Sequence, residues 1–263
     1  MLPKLLQALK DAGAGLADIL LPRSCELCGT NLNGSEHHIC TRCMTLLPRT
    51  GIKGAAGNAV ERLLWGRAKV QRANAFLYHY PHTRNAVTVY APKYDAKPSL
   101  AVYLGEMMAE DLAGTDFFDT LDCIVPVPLF QKRERKRGFN QSERLARGVS
   151  RVTGLPVHAH ALLRATETVS QTLFGKEERE RNIREAFTLA PGADALLAGK
   201  HVLLVDDVVT FGGTLAACAA ALAAAPEVKV SVLALAVSHS QRKRDFPHDT
   251  ARGRDIHTET DFI

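Results

Sequence analysis

The chain has 263 residues, of which 46% are hydrophobic and 23% charged, and its formal net charge is +5. That length holds one sizeable α/β core plus a small accessory unit. The charge is too small to mark a nucleic-acid binder by itself, and no apolar run is long enough to span a bilayer.

At the N-terminus, Leu2, Leu5, Leu6, Leu9, Leu16, Ile19 and Leu20 recur at helical spacing. Residues 1–24 are therefore expected to form an amphipathic helix that packs on the rest of the protein. Lys4, Lys10, Asp11 and Asp18 break each apolar run before it reaches the length of a secretion signal. The expected location is the cytoplasm.

Residues 25–50 contain the turn signal Asn33-Gly34 and no run able to build a core. They carry two pairs of cysteines, Cys25-x-x-Cys28 and Cys40-x-x-Cys43. Two such pairs close a tetrahedral sulfur shell suited to zinc. Only residues 29–39 separate them, so a compact knuckle is expected, with His37 and His38 placed to replace a cysteine. Two disulfides would need an oxidising compartment, and a redox CxxC does not explain the duplication. Zinc binding contributes about 10–16 kcal/mol in small zinc peptides, so the ion is expected to be structural. The other two cysteines, Cys123 and Cys218, lie in apolar stretches and read as core residues.

Residues 51–90 are ambiguous apart from Ala75 to Tyr80, which reads as a strand ended by Pro81. Further on, helical patterns over 99–113, 139–152 and 213–225 alternate with apolar runs. Those runs are Cys123 to Val127, Val202 to Val205 and Val228 to Val237. Continuous apolar strands separated by helices predict an α/β fold with a parallel sheet flanked by helices on both faces. The expected organisation is a helix and zinc module over 1–50, an α/β domain over 51–240 and a loosely ordered tail over 241–263.

Residues 131–147 carry seven Lys or Arg against two Glu. This is either a solvated loop and helix face or an electropositive surface. The segment follows the strand at 123–127, which favours an opening at the sheet edge, where a pyrophosphate or a nucleic-acid backbone would meet it. Lys132, Arg133, Arg135, Lys136 and Arg137 are the candidate nucleic-acid contacts. Phe130 and Phe139 are either bases' stacking partners or buried anchors.

The stretch His201 to Leu215, HVLLVDDVVTFGGTL, is the most informative. A buried strand delivers Asp206 and Asp207 to its C-terminal end, where ligands of open parallel sheets bind. A loop of Thr210, Phe211, Gly212, Gly213 and Thr214 follows, and then an Ala-rich helix whose N-terminal amides favour a phosphate. Carboxylates accept from sugar hydroxyls, so the implied ligand is a sugar phosphate. The GxGxxG of a dinucleotide site is absent, and the glycines are followed by Thr214 and Leu215, with no lysine as a P-loop would need. A response-regulator receiver needs most of its sheet after the acidic pair, and too little chain remains.

That stretch resembles the phosphoribosyl-pyrophosphate (PRPP) signature of type I phosphoribosyltransferases. Val125 to Ala146 (VPVPLFQKRERKRGFNQSERLA) and Leu163 to Phe187 (LRATETVSQTLFGKEERERNIREAF) narrow the resemblance to the ComF, or competence protein F, family. The four cysteines and Lys93-Tyr94 belong to the same pattern. The resemblance implies a type I phosphoribosyltransferase fold with an N-terminal zinc finger, and binding of PRPP with Mg²⁺. It assigns Asp206, Asp207, residues 210–214, Lys93, Gln171 and Arg179 to PRPP, with Asp206 and Asp207 at the reacting ribose. Residues 165–182, including Lys176, correspond to a segment that closes over bound PRPP, and Pro126–Pro128 to the pyrophosphate loop.

Two positions depart from the pattern. Phe211 stands where a threonine is usual, and DAKPS replaces the Gly-bearing turn after Tyr94. Biologically the resemblance implies DNA uptake in natural transformation, with single-stranded DNA and competence machinery such as a DNA translocase as partners. A PRPP-dependent transferase with an unidentified nitrogen acceptor and a PRPP-sensing regulator are the alternatives.

Overall fold

The computed structural model describes residues 23–80, 98–164 and 186–238. The expected N-terminal helix, Lys93, Gln171, Lys176, Arg179 and the tail lie outside the described residues.

The centre is a four-stranded, fully parallel sheet. Its strands are β1 (Ala73–His79), β2 (Cys123–Pro126), β5 (His201–Val209) and β6 (Lys229–Ser238), in the order β1-β6-β5-β2. Parallel pairing brings the C-terminal ends of all four strands to one edge. Two short strands, β3 (Leu162–Arg164) and β4 (Phe187–Leu189), form a separate antiparallel pair. They flank the stretch expected to close over PRPP.

Both sheet faces are covered, as the continuous apolar strands predicted. One face packs against α3 (Pro98–Asp111) and α5 (Gln141–Thr153), through Leu100, Leu104, Met108, Leu145 and Val149. The other packs against α2 (Ala59–Leu64), α6 (Ala193–Leu197) and α7 (Gly213–Leu222), through Val60, Leu64, Leu197, Leu215 and Leu222. Cys123 and Cys218 are fully buried in this second layer. Burial pushes the Cys123 thiol up to about 11 and that of Cys218 well above its ordinary value. These are inert packing residues.

Local signals account for the helix boundaries. Asn58 caps α2, its side chain accepting from the amides of Val60 and Glu61 at 2.9 and 3.2 Å. Asn140 caps α5, accepting from the Ser142 amide at 3.1 Å, while its own NH₂ donates to Val127 O at 3.0 Å. That second bond ties the helix start to the end of β2. Helices α3 and α5 cross with almost no side chain between them. A Cβ on Gly105 would lie 2.1 Å from Leu145 O, and one on Gly148 would lie 2.0 Å from Val102 O.

The cysteine segment joins this core directly. Cys25, Leu32, Ile39, Cys40 and Leu47 belong to the same apolar cluster as Leu100, Leu104 and Met107. Beyond α1 (Thr41–Thr45) the chain runs antiparallel along the outer edge of β1. Tyr78 N donates to Pro48 O at 2.7 Å, and Thr50 N to Phe76 O at 2.9 Å. Arg49 lies over the Phe76 ring and reaches Asp111 at 3.4 Å.

Candidate functional site

The ligand atoms of Cys25, Cys28, Cys40 and Cys43 all lie within 4.8 Å of one another. A tetrahedral zinc site with Zn–S bonds of about 2.3 Å requires sulfur atoms about 3.8 Å apart. The Sγ atoms of Cys28 and Cys40 are 3.7 Å apart, so the set fits a zinc ion. Amides also point at the sulfurs, Cys40 N donating to Cys25 Sγ at 3.3 Å and Cys43 N to Cys40 Sγ at 3.5 Å. The Thr30 hydroxyl holds the Cys28 thiol down to about 6. His38 replaces no cysteine. Its Nδ1 lies 2.6 Å from Glu26 Oε1 and its ring packs on Tyr103, while His37 is exposed.

The second constellation lies at the C-terminal edge of the sheet. β5 ends at Val209, and residues 210–212 turn directly into α7. Gly212 has φ +74°, a conformation that suits glycine. A Cβ there would also meet Leu64 Cδ2 at 3.1 Å and Leu63 O at 3.3 Å. The turn is thus pressed against α2, and Arg67 Nη1 further braces it by donating to Phe211 O at 2.9 Å. Gly212 precedes α7 without a side-chain cap, which leaves the first-turn amides suited to an anion. Gly213 and Thr214 open that turn and are half-buried, and Thr210 is exposed. Phe211 is 62% exposed, so its ring projects outward and does not fill the turn.

The two carboxylates differ. Asp206 is 7% exposed. Its Oδ1 accepts from Ser142 Oγ at 3.2 Å and from the Asp207 amide at 2.8 Å. Asp207 is half-buried, and its Oδ1 accepts from the Val208 amide at 2.6 Å. By sequence alone they form an equivalent pair at the edge. In the fold, Asp206 is the inner carboxylate, anchored to α5, and Asp207 the outer one. Ser142 has no local signal of this role, because its partner is 64 residues away.

The basic segment is partly as expected. It forms α4 (Gln131–Arg137) and the start of α5, and follows β2 to the same edge as the acidic pair. Arg133 and Lys136 lie on α4. Lys132 and Arg135 are exposed, and Arg137 is half-buried. Arg147 bonds Glu143 at 2.6 Å, so its charge is locally balanced. Phe139 is 7% exposed: it is a buried anchor and offers no stacking face. Phe130 lines a cleft of about 430 Å³ with Pro128, Leu129, Asn140, Leu163 and Arg164. This cleft lies between the turn after β2 and the β3–β4 pair. Residues 206–214 are not in its lining, and it adjoins them through Asn140, two residues from Ser142.

Among the described residues no helix is long and apolar enough to cross a membrane.

Comparison with known proteins agrees with this architecture. Residues 119–259 match the family model of the phosphoribosyl transferase domain. The chain is 30% identical to the DNA utilization protein YhgH of Escherichia coli over 219 residues, covering 75% of this chain and 89% of that protein. It is 35% identical over 94 residues to Competence protein F of Haemophilus influenzae, covering 36% of this chain and 41% of that protein. Among solved structures, the glutamine PRPP amidotransferase of B. subtilis overlaps 51% of this chain and 26% of its own, at 22% identity and a TM-score of 0.35. That overlap is too loose to bear on chemistry.

Proposed function

The chain belongs to the phosphoribosyl transferase domain family, as a ComF-like relative of competence and DNA-utilization proteins, and from this we propose that it is a cytoplasmic PRPP-binding factor that handles single-stranded DNA in natural transformation. The observation that carries the PRPP reading is the juxtaposition at the end of β5. Asp206 and Asp207 lie in the last stretch of β5, with two residues between them and the turn whose amides open α7. The 5′-phosphate sits on the amides of residues 212–214, with hydroxyls of Thr210 and Thr214 as further donors. Asp207, the outer carboxylate, accepts from a ribose hydroxyl, and Asp206, held by Ser142, backs it. By the family resemblance, Lys93 is a further proposed contact of PRPP, and Gln171, Lys176 and Arg179 are the proposed contacts of its pyrophosphate. Mg²⁺ bound with PRPP would supply charge neutralisation at that pyrophosphate.

Where a nitrogen acceptor is present, the chemistry is displacement at the anomeric carbon. The C–N bond forms as the C–O bond to pyrophosphate breaks, and the nitrogen loses its proton. Positive charge grows on the ribose in the transition state, and the two carboxylates lie near it.

The DNA reading is supported by the names of the relatives and by the exposed Lys132 and Arg135 beside the same edge. A protein that binds PRPP only in its folded form is stabilised by it. Millimolar Mg²⁺–PRPP should raise Tm, and ribose 5-phosphate should raise it less. An unchanged Tm with both would count against the PRPP site. Pyrophosphate release across a panel of nitrogen acceptors then separates a transferase from a factor that binds PRPP without turnover.

A further inference from the structure

Two large aromatic side chains are conspicuously uncovered: Trp65 is 61% exposed and Phe211 62%. They are 146 residues apart in sequence, yet the segments that carry them touch. A Cβ on Gly212, next to Phe211, would lie 3.1 Å from Leu64 Cδ2, next to Trp65. Arg67 then clasps Phe211 O at 2.9 Å. Burying an indole or phenyl ring would be favourable, and here neither ring is used in the core.

The surroundings are basic. Arg62, Arg67 and Lys69 are all exposed on the same short segment as Trp65. The one acidic residue there, Glu61, is buried, its carboxylate accepting from the amides of Gly57 at 2.6 Å and Ala73 at 3.2 Å. The surface is therefore aromatic and positive without a competing exposed carboxylate on that segment. A protein partner recognised by such a face would need acidic residues beside apolar ones. An unpaired nucleic-acid strand offers both requirements in every nucleotide, a flat base and a phosphate. A duplex hides the faces of its bases in the stack.

We infer that Trp65 and Phe211 form a stacking platform for bases of single-stranded DNA, with Arg62, Arg67 and Lys69 meeting its phosphates. This rests on the single-strand reading above and adds a surface separate from α4. It also gives Phe211 a use: the residue in the usual threonine position presents its ring outward from the phosphate turn, where a base is within reach.

Trp65 is the single tryptophan of the chain, so its emission reports on this surface alone. The test titrates the full chain with an oligothymidylate of about twelve nucleotides, within the span of common single-strand sites. Trp65 emission and the anisotropy of the labelled oligomer are followed together. The expected result is quenching of Trp65 that tracks the anisotropy, with Phe211→Ala and Trp65→Ala each weakening binding roughly 5- to 150-fold. A rise in anisotropy with Trp65 unchanged would overturn the platform and leave DNA binding intact elsewhere. No rise in anisotropy would overturn the single-strand reading itself. If dTMP quenches Trp65 as tightly as the oligomer, the surface is a mononucleotide pocket and the inference is wrong.

Discussion

The hydroxyl of Ser142, in the first turn of α5, donates to Asp206 at the end of β5 across 3.2 Å. Both residues are buried, so the bond fixes the inner carboxylate from a helix that packs on the opposite face of the sheet from α7. A hydrogen bond to a charged group contributes about 1.5–3 kcal/mol. Ser142→Ala should lower stability by about that amount in urea unfolding. It should also weaken Mg²⁺–PRPP about tenfold, as one such bond is lost. A loss of stability with unaltered PRPP affinity would make Ser142 a packing residue only.

The cysteine knuckle shares its apolar contacts with α3 and passes straight into the strand-like segment along β1. Metal removal should therefore reach the whole fold. One zinc per chain is expected by metal analysis, and chelation or Cys40→Ser should lower Tm by about 10 °C or more. An unchanged Tm after complete chelation would mean that the knuckle stands apart from the core.

The crossing of α3 and α5 leaves no room for a side chain at Gly105 or Gly148, whose Cβ atoms would meet backbone carbonyl oxygens. Neither carbonyl can swing away as a flexible side chain would. Gly105→Ala and Gly148→Ala should each cost about 3 kcal/mol, at the upper end of overpacking effects. Because α5 carries Ser142, the same variants should loosen Asp206. Stability within about 0.5 kcal/mol of the parent would show that the helices separate freely.

His201 opens β5, is 8% exposed, and touches the hydroxyls of Thr120 at 3.0 Å and Ser231 at 2.9 Å. Burial holds its pKa below the ordinary 6.5, with Lys229 acting in the same direction and Asp122 and the Thr120 contact opposing. The unfolded chain then takes up this proton more readily than the folded one. The stability contributed is complete above pH 6.5 and is lost as pH falls through the depressed folded value. Tm should drop on acidification below pH 6.5, and His201→Gln should drop less. Equal slopes for both proteins would place the acid sensitivity elsewhere.

The parts legible in the sequence are those whose partners are close along the chain. Cys25-x-x-Cys28 and Cys40-x-x-Cys43 bring their sulfurs together because each pair spans one tight turn. The strand at 202–205 was visible from its apolar run, although β5 extends to Val209, because paired β6 carries it through the acidic residues. Helix α2 and strands β3 and β4 leave no signal in the sequence. They are too short for a periodicity, and α2 depends on the Asn58 cap. The contacts that shape the site were out of reach for a different reason: Ser142 with Asp206 and Arg67 with Phe211 are separated by 64 and 144 residues. Trp65 gave no signal because its meaning lies in what it fails to bury.

Calorimetric titration of Mg²⁺–PRPP into the full chain, repeated with the Asp206→Asn/Asp207→Asn variant, tests the site directly. The account predicts saturable binding near one equivalent by the parent chain and at least a roughly hundredfold weaker response from the variant, as two charged hydrogen-bond acceptors are lost. Equal heats from both proteins, or none from the parent, would contradict it.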